Sequence, residues 1–158
     1  MNMKNIKFAA VIILLIIGTS ISYAEEYSQR WNSYLQRTEF YNSSGMMVAY
    51  AQYNQVNHKM EYFDAYGNFL SSEQQNPVTG KMESRDEWTG KMIYQRGQDP
   101  ILKNRENIKD EFGNLIGYRV YHEDLKKWVV YDNQHQQIGY YYWDTFKNTW
   151  TYHTGRAY

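Results

Sequence analysis

"KDEFGNLIGY", residues 109–118, carries an aspartate three places before a glycine and an aliphatic residue three places after it. An Asp or Asn side chain accepts hydrogen bonds from turn backbone, and glycine readily takes the left-handed conformation that closes the turn. Read alone, the stretch is one hairpin turn ending in a glycine bulge. The chain repeats it. With the acidic or amide residue as reference, the copies are Asn42 to Gly45, Asp64 to Gly67, Glu87 to Gly90, Asp110 to Gly113 and Asp132 to His135. Successive references are 22, 23, 23 and 22 residues apart, and the position three after the glycine is Val48, Leu70, Ile93, Ile116 and Ile138, aliphatic every time. A period held that closely predicts tandem supersecondary units.

Second, less regular turns lie between the first: "YNQVN" at 53–57, "NPVTG" at 76–80, "GQDP" at 97–100, "HEDLKK" at 122–127 and "DTFKN" at 144–148. Tight turn, strand, looser turn, strand gives about ten strands of ordinary length. The expectation is an all-β chain: an antiparallel meander of about five tandem hairpins with period 22–23, forming a twisted open sheet over 34–158, with a closed barrel as the alternative. Residues 25–33 read as a lead-in, a short helix or loose chain. Pairing each acidic residue with the one after the glycine sets the aliphatic column opposite Phe40, Tyr62, Arg85, Ile108 and Val130. Arg85 breaks that apolar series and marks the third hairpin as the weakest.

The copies "FYNSSGMMV", "YFDAYGNFL", "KDEFGNLIG" and "VYDNQHQQIG", spanning about 40–140, resemble the bacterial variant of MORN repeats, whose hairpin unit carries an aromatic, an Asp or Asn, a Gly and an aliphatic residue. That family's second turn usually has its own Gly, which here only "NPVTGKM" supplies. The resemblance implies a non-enzymatic, elongated repeat sheet used for contacts with proteins or membranes.

The N-terminus points to export. Lys4 and Lys7 precede an apolar run from Phe8 that ends near Ile21, followed by Ser22 and Ala24 as small cleavage-site residues. This is the pattern of a secretory signal peptide over 1–24, and the run is shorter than the roughly 20 residues a membrane-spanning helix needs. A periplasmic or secreted protein is expected, with no membrane span after cleavage. The absence of cysteine removes disulfides and thiolate metal sites. Without Lys4 and Lys7, fifteen basic residues face seventeen acidic ones, so no basic nucleic-acid footprint is present. "DEFGN" offers too few oxygen ligands for calcium, and no metal or other cofactor is expected.

Seventeen tyrosines, five tryptophans and six phenylalanines set the functional expectation. They concentrate in "LKKWVVYDNQHQQIGYYYWDTFKNTWTYH", where alternation assigns Trp128, Val130, Ile138, Tyr140, Tyr142, Trp150 and Tyr152 to the core face. The opposite face carries Lys127, Tyr131, Tyr141, Trp143, Thr151 and His153, with Gly139 leaving a gap among the rings. A ring-lined shelf with hydroxyl, imidazole and ammonium groups suits stacking on a sugar or gripping a peptide. The four histidines fall in different hairpins without a nucleophile beside them, and the acidic pairs Asp86–Glu87 and Glu123–Asp124 are sequence neighbours whose side chains diverge on a strand. No catalytic residue is therefore assigned. The reading is an exported, non-enzymatic repeat protein of the cell envelope that binds another protein or a glycan. The alternatives are a hydrolase of envelope polysaccharide or peptide and a small outer-membrane β-barrel.

Overall fold

In the 109–118 stretch the Asp110 side chain accepts hydrogen bonds from the backbone N–H of Phe112 at 3.0 Å and of Asn114 at 2.8 Å. The Asp110 N–H donates to the Asn114 carbonyl at 2.9 Å, and Gly113, at φ 85°, donates to the Asp110 carbonyl at 3.1 Å. The same turn recurs at Asp64 and Asp132, where His135 takes the left-handed position at φ 64°. The structure, a computed structural model, describes residues 26–157 other than Glu87, Trp88 and Lys147. The expected signal segment, 1–24, lies outside the described residues.

Twelve strands follow in chain order: β1 Glu26–Asn32, β2 Arg37–Tyr41, β3 Met47–Asn54, β4 Lys59–Asp64, β5 Phe69–Gln75, β6 Met82–Arg85, β7 Met92–Gln98, β8 Arg105–Asp110, β9 Leu115–His122, β10 Lys127–Asp132, β11 Gln137–Asp144 and β12 Thr149–Thr154. Each pairs antiparallel with its neighbours in sequence, and β1 also pairs with β12, so the expected meander is present and its two ends meet in a closed barrel. The barrel, the second of the two forms expected, replaces the open sheet because 26–32, set down as lead-in, is a strand. It places Tyr27 opposite Tyr152 on one side and Gln29 opposite Phe40 on the other.

Every tight hairpin contains a bulge. Phe40 pairs with Ala49 while Tyr41 pairs with Met47, leaving Val48 as the extra residue; Leu70, Ile93, Ile116 and Ile138 are the extra residues of the other four. The aliphatic column is thus the bulge position. An inserted residue exchanges the faces of everything beyond it. The residues truly opposite the inner positions Phe40, Tyr62, Ser84, Ile108 and Val130 are Ala49, Ser71, Tyr94, Gly117 and Gly139.

The third hairpin also differs from its sequence reading. Its turn opens at Asp86, whose N–H donates to the Lys91 carbonyl at 2.8 Å, one residue longer than its counterparts. Arg85 therefore lies on the outer wall, bonded to Glu83 at 2.8 Å and to the Gly90 carbonyl at 3.0 Å, and the fully buried Ser84 holds the inner place.

Four of the six looser turns, those opening at Asn32, Asn54, Asn76 and Asp144, share one geometry. Asn32, Asn54, Asn76, Asp99 and Asp144 each accept from the backbone N–H two residues on. Gln36, His58, Gly80, Lys126 and Asn148 take the left-handed position at the far end of their turns.

Because a meander alternates ends, all tight turns leave one end of the barrel and all looser turns leave the other. Inside, Phe40, Ala49, Ala51 and Tyr62 form one apolar cluster, Tyr27, Val130, Tyr141 and Tyr152 a second, and Tyr94 with Ile108 a third. Val48, Leu70 and Ile138 pack against these clusters from the tight-turn side.

Candidate functional site

The inner wall carries charge as well as rings. Glu73, fully enclosed on β5, accepts from the Tyr62 and Tyr94 hydroxyls at 2.9 Å each and from Arg96 Nε at 2.9 Å and Nη2 at 3.0 Å. Burial opposes its ionisation, but the Arg96 charge and the four donors outweigh burial and hold the carboxyl below its usual range. The same environment raises Tyr62 and Tyr94, through burial first and the Glu73 charge second. A carboxylate held ionised and sealed from solvent has no proton to deliver. Four strands on from Glu73, on β9, Arg119 donates twice to Glu106 Oε2, at 3.0 and 2.8 Å, and lies over the Trp128 ring at 4.4 Å from its centroid. Arg119 is almost wholly buried while the Glu106 side chain keeps 24% of its exposure, so this pair spans from the interior to an opening.

The predicted shelf divides between the two faces. Lys127, Tyr131, Thr151 and His153 lie on the outer wall, where Lys127 Nζ sits 4.6 Å from the Tyr140 ring centroid and Tyr140 stacks on His153 at 5.4 Å. Tyr142 stacks on the same imidazole at 5.3 Å, and Thr151 is buried beneath these rings. Tyr141 and Trp143 belong to the inner face, because Val130 is opposite Gly139 rather than Ile138. Tyr141 is 2% exposed and packs on Tyr152 at 4.8 Å, so it is core and not shelf. Tyr140 and Tyr142, assigned to the core, are the wall residues instead. The gap at Gly139 is filled from within, since a Cβ there would overlap the Tyr152 ring and hydroxyl. Similar ladders cover the wall elsewhere: Arg37 over Tyr50 with Phe63 stacked beyond, and Arg105 over Tyr118 with Tyr131 stacked beyond. Each ring is covered by its neighbours, which makes these cross-strand stabilisers.

The bulges and the closing strand together assemble another surface. Register places Trp31, Trp128, Trp143 and Trp150 on inner positions next to the looser turns of β1, β10, β11 and β12, strands that are contiguous round the barrel. Trp143 meets Trp150 edge to face at 5.9 Å, and Tyr121, on adjoining β9, meets Trp128 at 5.3 Å. These are all the tryptophans among the described residues. Trp31 is 49% exposed and Trp143 44%, whereas Thr38, opposite Trp31, is buried, as are Tyr141, Arg119 and Arg96, two residues inward from Trp143, Tyr121 and Gln98.

At this opening the side chains are thus already buried two residues in from the rim, about 7 Å along a strand. Further round the rim from the tryptophans stand Glu106, Gln98, Met82 and Gln75, on β8, β7, β6 and β5. Sequence reasoning left Trp31 in the lead-in, whereas its assignment of Trp128 and Trp150 to the core face holds, since both pack on the cluster of Tyr27, Val130, Tyr141 and Tyr152. The signal was present: Trp31, Tyr53, Gln75, Gln98, Tyr121 and Trp143 recur every 22 or 23 residues, marking the inner rim position.

Among the described residues no group of three or more His, Asp or Glu side chains is placed to hold a metal. No family model matches the chain, and no curated protein does. The fold is similar to that of a protein from Arabidopsis thaliana solved by X-ray crystallography, with a TM-score of 0.62 at 8% identity, over 84% of this chain and 80% of that one. At that identity the likeness is one of fold.

Proposed function

We propose that this is an exported, non-enzymatic binding protein of the cell envelope whose working surface is the looser-turn end of the barrel, where it takes a glycan or another protein. The convergence of four tryptophans on one opening carries this reading. Trp31 and Trp143, left half open to water beside Trp128 and Trp150, which pack on the core cluster, are placed for contact with a partner. The outer wall supports it less, since its rings are spent on one another and its charges are paired, as in Arg37 with Glu39 and Arg85 with Glu83. The same charges are foreign to the lipid-facing band of an outer-membrane barrel. A hydrolase would need a carboxylic acid beside a second free carboxylate. The interior offers Glu73 and Glu106, each bonded to an arginine.

The test is retention of the protein on isolated envelope fragments. Trp31→Ala with Trp143→Ala should lower retention strongly, while Tyr140→Ala on the outer wall should leave it unchanged. Equal loss from both, or loss from the wall variant alone, would move the working surface to the wall.

A further inference from the structure

We infer that the looser-turn end of one barrel takes the tight-turn end of a second copy, so that copies stack head to tail along the barrel axis. The inference rests on the reading of the looser-turn end as the working surface and names its protein partner.

Exposed apolar tips stand at both ends, and turn chemistry does not account for them. Tyr34, Val56, Val78, Ile101 and Phe146 at the looser-turn end, and Tyr66 and Phe112 at the other, are almost fully exposed. All hold the same place, two residues after the Asn or Asp that opens the turn, where the turn requires only a backbone N–H donated to the opening side chain. Ser44 and Gln134 supply that N–H equally well in the hairpins of Asn42 and Asp132. Whatever covers either end must therefore offer apolar surface, and each end offers it to the other.

Charge sets the two ends apart. Among the described residues, Lys59, Lys81 and Lys103 at the looser-turn end enter no ion pair, against Asp124 of opposite sign. At the tight-turn end Asp64, Asp110, Glu111 and Asp132 enter none, against Lys91. Asp64 and Asp110 keep their charge, since the Asn68 and Asn114 side chains hold them below the usual carboxylate range. Like ends would set lysine against lysine or carboxylate against carboxylate. Unlike ends bring opposite signs together, which fixes the direction of stacking.

A contact between unlike ends leaves one end of each kind free, so the stack extends as an open rod and does not close as a pair. Twelve strands about 4.8 Å apart and tilted about 40° make a ring roughly 25 Å across, hence an end face of roughly 500 Å². Two such faces bury about 1,000 Å², the small end of specific interfaces, so the rods form by weak, concentration-dependent contacts.

The experiment is sedimentation of the full chain over a concentration series at low and high salt. Mass should grow past the dimer with concentration and fall back with added salt, which screens the facing charges. Ile101→Ser with Phe146→Ser blocks one end, and Tyr66→Ser with Phe112→Ser blocks the other. Each pair should weaken association roughly ten-fold or more while melting as the native chain does. Glu111→Lys, at an exposed position, should weaken it through charge alone. Mixed together, the two end-blocked variants should form a one-to-one dimer and stop there, because each retains one working face. No growth in the native chain, growth untouched by blocking either end, or no dimer on mixing overturns the inference. In that event, envelope retention still lowered by Trp31→Ala with Trp143→Ala leaves the working end in place with a different partner. Retention indifferent to the tryptophan variants overturns the working-end reading itself.

Discussion

Glu73 and Gly139 show how much of this barrel depends on single positions. The Glu73–Arg96 pair is sealed inside, so removing one partner leaves the other charge unanswered. Glu73→Gln should cost about 3–5 kcal/mol, and Glu73→Gln combined with Arg96→Met should recover much of it, as measured by denaturant unfolding. The pair also sets an acid limit. Because the folded carboxyl titrates below its ordinary value of 4.5, its stabilisation is complete above that pH and is lost as pH falls through the folded value. Stability measured from pH 6 downward should fall more steeply in the native chain than in the double variant.

At Gly139 a Cβ would overlap Tyr152 and come within 2.5 Å of the His153 carbonyl, so the ring and a strand must both shift. Gly139→Ala should cost about 1–3 kcal/mol or more, as overpacking does, and less when Tyr152 is already alanine. A thermal melt of the three variants decides it. Gly117, whose Cβ would lie 3.0 Å from the Tyr131 carbonyl, should tolerate alanine better.

At the scale of the hairpin, the repeat encodes a staple that its turn residues alone do not advertise. Asn32 donates from its amide to Glu39 at 3.1 Å, Asn54 to Glu61 at 2.9 Å and Asn76 to Glu83 at 2.7 Å, always seven residues on. In the fourth unit donor and acceptor exchange, with Asn107 donating to Asp99 at 2.7 Å. One side chain thus organises the turn through its oxygen and ties the next strand through its nitrogen. The outer-wall acids Glu39, Glu61 and Glu83 are accordingly engaged in the scaffold. Asn54→Ala removes both functions and should cost about 1–2 kcal/mol, whereas Asn54→Ser keeps an oxygen for the turn, loses the staple and should cost less. Urea unfolding of the two variants separates the contributions, and equal losses would show that the turn oxygen contributes nothing beyond the staple. The same hairpin geometry corrects the weight of the bulge residues. Ile116 is 43% exposed and its truncation should be mild, while Ile138 packs on the Val130, Tyr141 and Tyr152 cluster and its truncation should cost more.

At the scale of the whole molecule, closure depends on β1. It bonds to β2 and β12 at once, and it brings Trp31 to the rim beside the other tryptophans. Deleting 26–32 would uncover two strand edges, so that variant should self-associate, as followed by light scattering, while the native barrel has no free edge to pair. A monomeric, equally stable deletion variant would show that closure is dispensable.

Much of this was legible along the chain. The Asp110-type turns, their period and the alternation of rings with polar residues dictate antiparallel hairpins, because turn chemistry and side-chain periodicity are local properties. What the sequence did not determine was the face each residue occupies beyond a turn. One inserted residue per tight hairpin shifts alternation by one place, and only the partner strand reveals where the insertion falls. That shift sends Tyr141 into the core and Tyr140 to the wall. Nor did it determine whether the meander would close, since 26–32 finds its partners at Tyr152 and Phe40, one of them more than a hundred residues away. The grouping of tryptophans at the looser-turn end is a product of both long-range facts, which is why they belong together only once the barrel is folded.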